Sequence, residues 1–187
     1  PGHSGKQQEE LVYLVYLGRH ADPVWGPGMT QLGADHDACA AALRAAGSSF
    51  ALPIRLLPQA KRRGTTALYA FCRRADDIVD DAADSATARH GLDAFEAKAR
   101  RALQGETVDD PVLRAVADTV RRFAVPNSCI TDILAGVRMD LVQSSYHSLA
   151  ELDGYCRRVA TAVGVAAVHI WGFIDRRAIE RSDDCGL

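Results

Sequence analysis

From Thr30 onward the chain alternates long Ala-rich apolar stretches with short polar or Gly/Pro breaks, and this spacing predicts a succession of helices. Thr30 to Ala46 ends at Gly47, a residue suited to a helix C-terminus. Phe50 to Leu57 is apolar and bounded by Pro58, and Gln59 to Ala83 has no internal breaker apart from Gly64. Thr87 to Leu103 follows and stops near Gly105. Asp110 before Pro111 supplies a capping side chain and then a preset first helical φ, opening a helix to about Phe123. Ser128 to Gln143 and Ser148 to Phe173 complete the set, with Ser148 and Glu151 spaced as a capping box. Residues 1 to 29 read differently, holding five of the fifteen glycines and three of the seven prolines. There Leu11 to Leu17 (LVYLVYL) has the length and Val/Tyr content of a buried strand, and Asp22 to Met29 is loop. The reading is an all-α domain over 30–187 preceded by an extension over 1–29, with no internal repeat.

Chemistry concentrates in one of these helices. The run ALYAFCRRADDIVDD, Ala67 to Asp81, places Asp76 and Asp80 four residues apart, hence on one helix face. Asp77 and Asp81 form a second such pair, rotated by about 100°. Like charges at this spacing cost helix stability, and a hard divalent cation would offset that cost. Mg²⁺ takes oxygen ligands, keeps waters and is usually held by one or two carboxylates plus substrate phosphates. A solvated acidic helix terminus is the alternative that spacing leaves open.

A second stretch, Leu149 to Gly172, is thin and apolar. Tyr155, Val159 and Val163 recur at i+4, while Ala160, Gly164, Ala166 and Ala167 allow close approach by another backbone or a long hydrocarbon. Tyr155 would set one hydroxyl at the head of this stripe, where a buried phenol normally finds a partner.

Composition narrows the picture little. With 187 residues, 48% hydrophobic and 25% charged, the chain is of ordinary globular make-up and long enough for one sizeable core. A net charge of -2 gives no reason to expect nucleic acid as a partner. The five cysteines form no CxxC pair, which fits a reducing, cytoplasmic setting and argues against a zinc or redox motif. No apolar run approaches the ~20 residues of a membrane span, and Leu11 to Leu17 lacks the basic flank of a signal peptide. Peripheral membrane contact to collect a greasy substrate is left open.

Taken together these stretches resemble the squalene/phytoene synthase family. DHDACAAALRAAGSSFALPIRLLP at 35 to 58 is similar to the family's first helix with its Ser-Phe element and following Leu-Pro. ALYAFCRRADDIVDD at 67 to 81 resembles the first aspartate-rich motif, and AGVRMDL at 135 to 141 and YCRRVATAVG at 155 to 164 resemble two further signatures. The resemblance implies an all-α isoprenoid-synthase bundle around a central cavity. It implies Mg²⁺-dependent joining of two prenyl diphosphates head to head through a cyclopropyl intermediate. The products would be presqualene diphosphate or squalene from farnesyl diphosphate, with NADPH as reductant for squalene, or phytoene from geranylgeranyl diphosphate. Asp76 and Asp80 match the Mg²⁺-binding aspartates, and Tyr155 a cavity tyrosine counted with them as catalytic. Arg73 matches a diphosphate-contacting arginine, with Tyr69 one turn earlier. Ser49 and Phe50 match the Ser-Phe element, and Val159, Val163 and Gly164 the wall beside the prenyl tail.

Two departures matter. The family's second aspartate-rich motif follows the small-residue helix, and this chain ends at SDDCGL, 182 to 187, about where that helix should begin. The expectation is a bundle incomplete at its C-terminus, exposing apolar surface, prone to self-association and impaired in catalysis. A prenyl-diphosphate-binding remnant that does not turn over is the matching alternative. Secondly, LVYLVYLGRHADPVWGPGMTQLG at 11 to 33 resembles the opening of the histidine phosphatase family, which would make His20 the phosphorylated group of a phosphomonoesterase. The second histidine and alternating strands of that fold are not visible later.

Overall fold

The computed structural model describes residues 29–141 and 147–173, together with 175, 177 and 181. Leu11 to Leu17, and with it His20, lies outside them. Among the described residues every regular element is helical: α1 Met29–Ala45, α2 Ala51–Arg55, α3 Gln59–Asp80, α4 Ser85–Leu103, α5 Pro111–Phe123, α6 Asn127–Asp140, α7 Leu149–Cys156 and α8 Ala162–Trp171. None of them is long and apolar enough to cross a membrane.

The ends follow local chemistry. Asp84 caps α4 by accepting from the Thr87 amide at 2.7 Å. Asp110 caps α5 through the Val112 and Leu113 amides. Ser148 Oγ accepts from the Glu151 amide, and the Glu151 carboxylate accepts from the amide of His147 just ahead of the cap. Ala124 closes α5 with φ 51°. α3 stops at Asp80 rather than Ala83: Asp81 is a turn residue, and bends at Ala83 and Asp84 lead into the Asp84 cap.

α3 is the central strut, packed on α1, α4, α5 and α8. Its middle, from Gly64 to Phe71, is almost wholly buried. Phe71 stacks on Phe95 of α4 with ring centroids 5.4 Å apart. Leu92, Leu113, Ile130, Leu134 and Ile170 fill the same core. Two glycines allow the helices to close. A Cβ on Gly64 would lie 2.9 Å from Phe123 Cε2 and 3.1 Å from Ile170 Cγ2, so Gly64 lets α5 and α8 meet on α3. A Cβ on Gly136 of α6 would lie 2.8 Å from Val159 Cγ2. Asp35 of α1 is 2% exposed and takes both Arg114 Nε (2.8 Å) and Nη2 (2.6 Å) from α5. That paired fork fastens α1 across the bundle.

The helix expected to run unbroken from Ser148 to Phe173 is interrupted. Arg157–Thr161 is a π-helical turn between α7 and α8. A π turn carries about one residue more than an α turn, so it shifts the register of everything beyond it. It falls where Val159 and Arg158 pack against Gly136 of α6.

Candidate active site

α3 presents one stripe, Thr65, Leu68, Tyr69, Cys72, Arg73 and Asp76, to a groove of ≈ 730 Å³. The spacing of three and four is that of a single helix face. Opposite stand Val163, Ala167 and Trp171 of α8, again four apart, and the third wall is the segment from Ser48 through Phe50, Pro53 and Ile54 to Leu57. Thr65 and Asp76 are eleven residues apart, so the groove follows α3 for about 16 Å. Its two ends differ. At one, Trp171 Nε1 donates to Thr65 Oγ1 at 3.0 Å, and the Thr65 hydroxyl donates to the Lys61 carbonyl at 2.8 Å. At the other stand Arg73 and Asp76, with Leu68, Val163 and Ala167 making the stretch between apolar.

The charged end is electrostatically loaded. The Asp76 carboxyl is held above the ordinary aspartate range, first by partial burial and then by the charge of Asp80, with Asp140 and Asp77 adding and Arg73 opposing. Asp140 stands at the last position of α6, so this negative field gathers carboxylates from two helices. Arg73 Nη2 is 2.6 Å from Asp77, which holds the guanidinium beside Asp76. Burial and the Asp76 charge push the Cys72 thiol up to about 12, so it stays a neutral wall group. Among the described residues, no group of three or more His, Cys, Asp or Glu side chains is placed to enclose a metal by itself. The donor set instead suits a hard cation that shares its shell with phosphate oxygens and water, and the mutual repulsion at Asp76 is what such a cation would relieve.

The fold brings several of the expected residues together. Asp76, Arg73, Tyr69, Phe50 and Val163 all border the groove. Asp80 lies one turn beyond, coupled to Asp76. Ser48 rather than Ser49 lines the wall, its Oγ accepting from the Phe50 amide at 3.2 Å, while Ser49 is exposed. Tyr155 and Val159 do not join Val163 in the lining; the π turn breaks the i+4 stripe, and Val159 meets Gly136 instead. A Cβ on Gly164 would meet no described heavy atom within 4 Å, so this glycine is not a packing contact.

A model of the family described as Squalene/phytoene synthase matches residues 43–187, which takes in α3, α6, α8 and the groove. The chain belongs to the squalene/phytoene synthase family. It is 37% identical over 124 residues to a phytoene synthase of Arthrospira platensis, covering 66% of this chain and 40% of that protein. It is 34% identical over 145 residues to a phytoene synthase of Mycobacterium tuberculosis, covering 77% of this chain and 47% of the relative. Among solved structures it superposes on a squalene synthase from Alicyclobacillus acidocaldarius with TM-score 0.73 and 30% identity, covering 82% of this chain and 57% of that one. A dehydrosqualene synthase in complex with a ligand gives TM-score 0.68 at 29% identity, over 75% of this chain and 48% of its counterpart. The chain thus spans less than half the length of these curated relatives.

Seen as a squalene/phytoene synthase chain, the site has members that sequence reading passed over. Asp140 is the one carboxylate in the signature AGVRMDL, and that was a usable signal. Trp171 continues the Val163 and Ala167 spacing at i+4, a pattern hidden by starting the stripe at Tyr155.

Proposed function

We propose that this chain carries the first diphosphate half-site of a head-to-head prenyl-diphosphate condensing enzyme, with farnesyl or geranylgeranyl diphosphate as substrate. The observation that carries the reading is a single groove with an apolar length of α3 and α8 and a carboxylate-and-arginine end at Asp76, Arg73, Asp80 and Asp140. Asp76 and Asp80 would hold Mg²⁺, which when bound neutralises the leaving diphosphate and helps the allylic C–O bond ionise. Arg73, steadied by Asp77, offers a planar donor fork to phosphate oxygens. Leu68, Tyr69, Val163, Ala167 and Trp171 would keep water from an allylic cation, which water otherwise quenches. NADPH enters only as the reductant if the product is squalene. Phe50, Leu52 and Leu56 are 63%, 67% and 81% exposed around α2. This supports the expected peripheral membrane contact or self-association.

A binding-only reading has its own support: among the described residues no group of three or more His, Cys, Asp or Glu side chains is placed to hold a metal by itself. Mass spectrometry of an extract after incubation with farnesyl diphosphate, Mg²⁺ and NADPH separates the two. Presqualene diphosphate or squalene is the product expected of catalysis. Unchanged substrate, with Mg²⁺-dependent binding retained, assigns the chain to binding alone.

A further inference from the structure

A second cavity, of ≈ 750 Å³, lies between α1, α2 and the start of α3, and Ile54 separates it from the groove. Its chemistry is the reverse of the aspartate end. Among the described residues Arg44 from α1, Arg55 from α2, and Arg62 and Arg63 from α3 line it, against one carboxylate, Asp37. Elsewhere in the bundle guanidinium groups are matched to acids: Arg73 to Asp77, Arg100 to Glu96, Arg114 to Asp35, Arg138 to Asp93 and Glu96. Among the described residues Arg44, Arg55 and Arg62 form no ion pair, and Arg62 Nη1 reaches only the Arg55 carbonyl at 3.4 Å. Gathering the guanidinium groups of Arg44, Arg55 and Arg62 costs Coulomb energy that Asp37 alone does not offset.

A second observation points the same way. His36 also lines the cavity, and its side chain is 4% exposed with Nε2 3.6 Å from Asp118 Oδ2. Its Nδ1 is buried with no hydrogen-bond partner among the described residues. A buried polar atom is normally satisfied, and with Nε2 facing the Asp118 carboxylate, a water held by a bound anion would donate to Nδ1.

We propose that this basin binds a phosphate-bearing anion through the guanidinium groups of Arg44, Arg55, Arg62 and Arg63. Guanidinium matches phosphate oxygens with two parallel N–H donors, and 750 Å³ exceeds what a single phosphate needs. The phosphate could belong to a free diphosphate or to a phospholipid headgroup, since the exposed Leu52 and Leu56 adjoin Arg55.

The test is titration calorimetry of the purified chain with inorganic pyrophosphate in EDTA, beside co-sedimentation with phosphatidylglycerol or phosphatidylcholine vesicles. Saturable pyrophosphate binding, about tenfold weaker in Arg44→Gln/Arg55→Gln and unchanged in Asp76→Asn, supports a free phosphate. Binding to phosphatidylglycerol vesicles alone, lost in the same double variant, supports the headgroup. No binding to either probe overturns the proposal, as does binding that the arginine variant leaves intact or that Asp76→Asn abolishes. Arg44 and Arg55 are exposed, so circular dichroism should show the double variant folded. Arg44→Gln and Arg55→Gln made singly give the same reading if it is not. Retention of the proposed farnesyl diphosphate binding in these variants keeps this site distinct from the aspartate end of the groove.

Discussion

At the scale of single residues, Asp76 is where stability and function conflict. Its proton affinity is raised in the fold by partial burial and by Asp80. For an acid with a raised folded pKa the penalty is absent below the unfolded value and fully present once pH exceeds the folded value. Stability therefore falls as pH rises through the upper carboxylate range. Asp76→Asn should raise the melting temperature of the metal-free chain at neutral pH while removing Mg²⁺-dependent prenyl diphosphate binding. Thermal denaturation and calorimetry on the same sample check both; an unchanged or lowered melting temperature contradicts the electrostatics. Because Mg²⁺ and protons compete for this carboxylate, Mg²⁺-dependent binding should also weaken as pH drops into that range, and less so in Asp80→Asn. The pair Asp76 and Asp80 was legible from spacing alone, since i+4 fixes a helix face. Asp140 was not, because its field on Asp76 depends on how α6 crosses α3.

At the scale of elements, the helices were legible to within a few residues, because Asp110 and Ser148 are caps and Gly47 and Gly105 adopt positive φ, whereas the Asp84 cap of α4 was not singled out. The π turn was not legible: Arg157–Thr161 has no breaker, and the turn coincides with the tertiary packing of Val159 on Gly136. That one extra residue explains why Tyr155 and Val159 part from Val163. Gly64 tests the packing. Gly64→Ala puts a methyl 2.9 Å from Phe123 Cε2 and 3.1 Å from Ile170 Cγ2. Overpacking of this kind costs about 1–3 kcal/mol, outweighing the ~1 kcal/mol that Ala gains over Gly in a helix. Urea denaturation should show a net loss; a gain in stability would mean that the three helices separate more easily than the contacts indicate.

At the scale of the whole molecule, α1 is tied to α5 by the buried Asp35–Arg114 fork, with Arg114 Nη1 also donating to the Val108 carbonyl at 2.8 Å. Removing Asp35 leaves the Arg114 side chain, 24% exposed, without its carboxylate, at a cost of roughly 1.5–3 kcal/mol, the worth of a hydrogen bond to a charged group. Asp35→Ala should lose about that much by chemical denaturation, and a loss under ~1 kcal/mol would show the pair to be marginal. All-α class and family kinship were readable because the four signature segments keep their order. The phosphatase resemblance rests on residues 11 to 33, most of which precede the described bundle, and the bundle's all-helical make-up gives it no support.

The central claim is that the face of α3 running from Thr65 to Asp76 receives a prenyl chain and its diphosphate. Calorimetric titration of the intact chain with farnesyl diphosphate, with and without Mg²⁺, tests it most directly. Saturable binding that requires Mg²⁺, disappears in Asp76→Ala/Asp80→Ala and weakens at least tenfold in Ala167→Trp, which fills the α8 side of the groove, is the predicted result. Binding that is indifferent to Mg²⁺ and to the aspartates, or no binding by the folded chain, contradicts it.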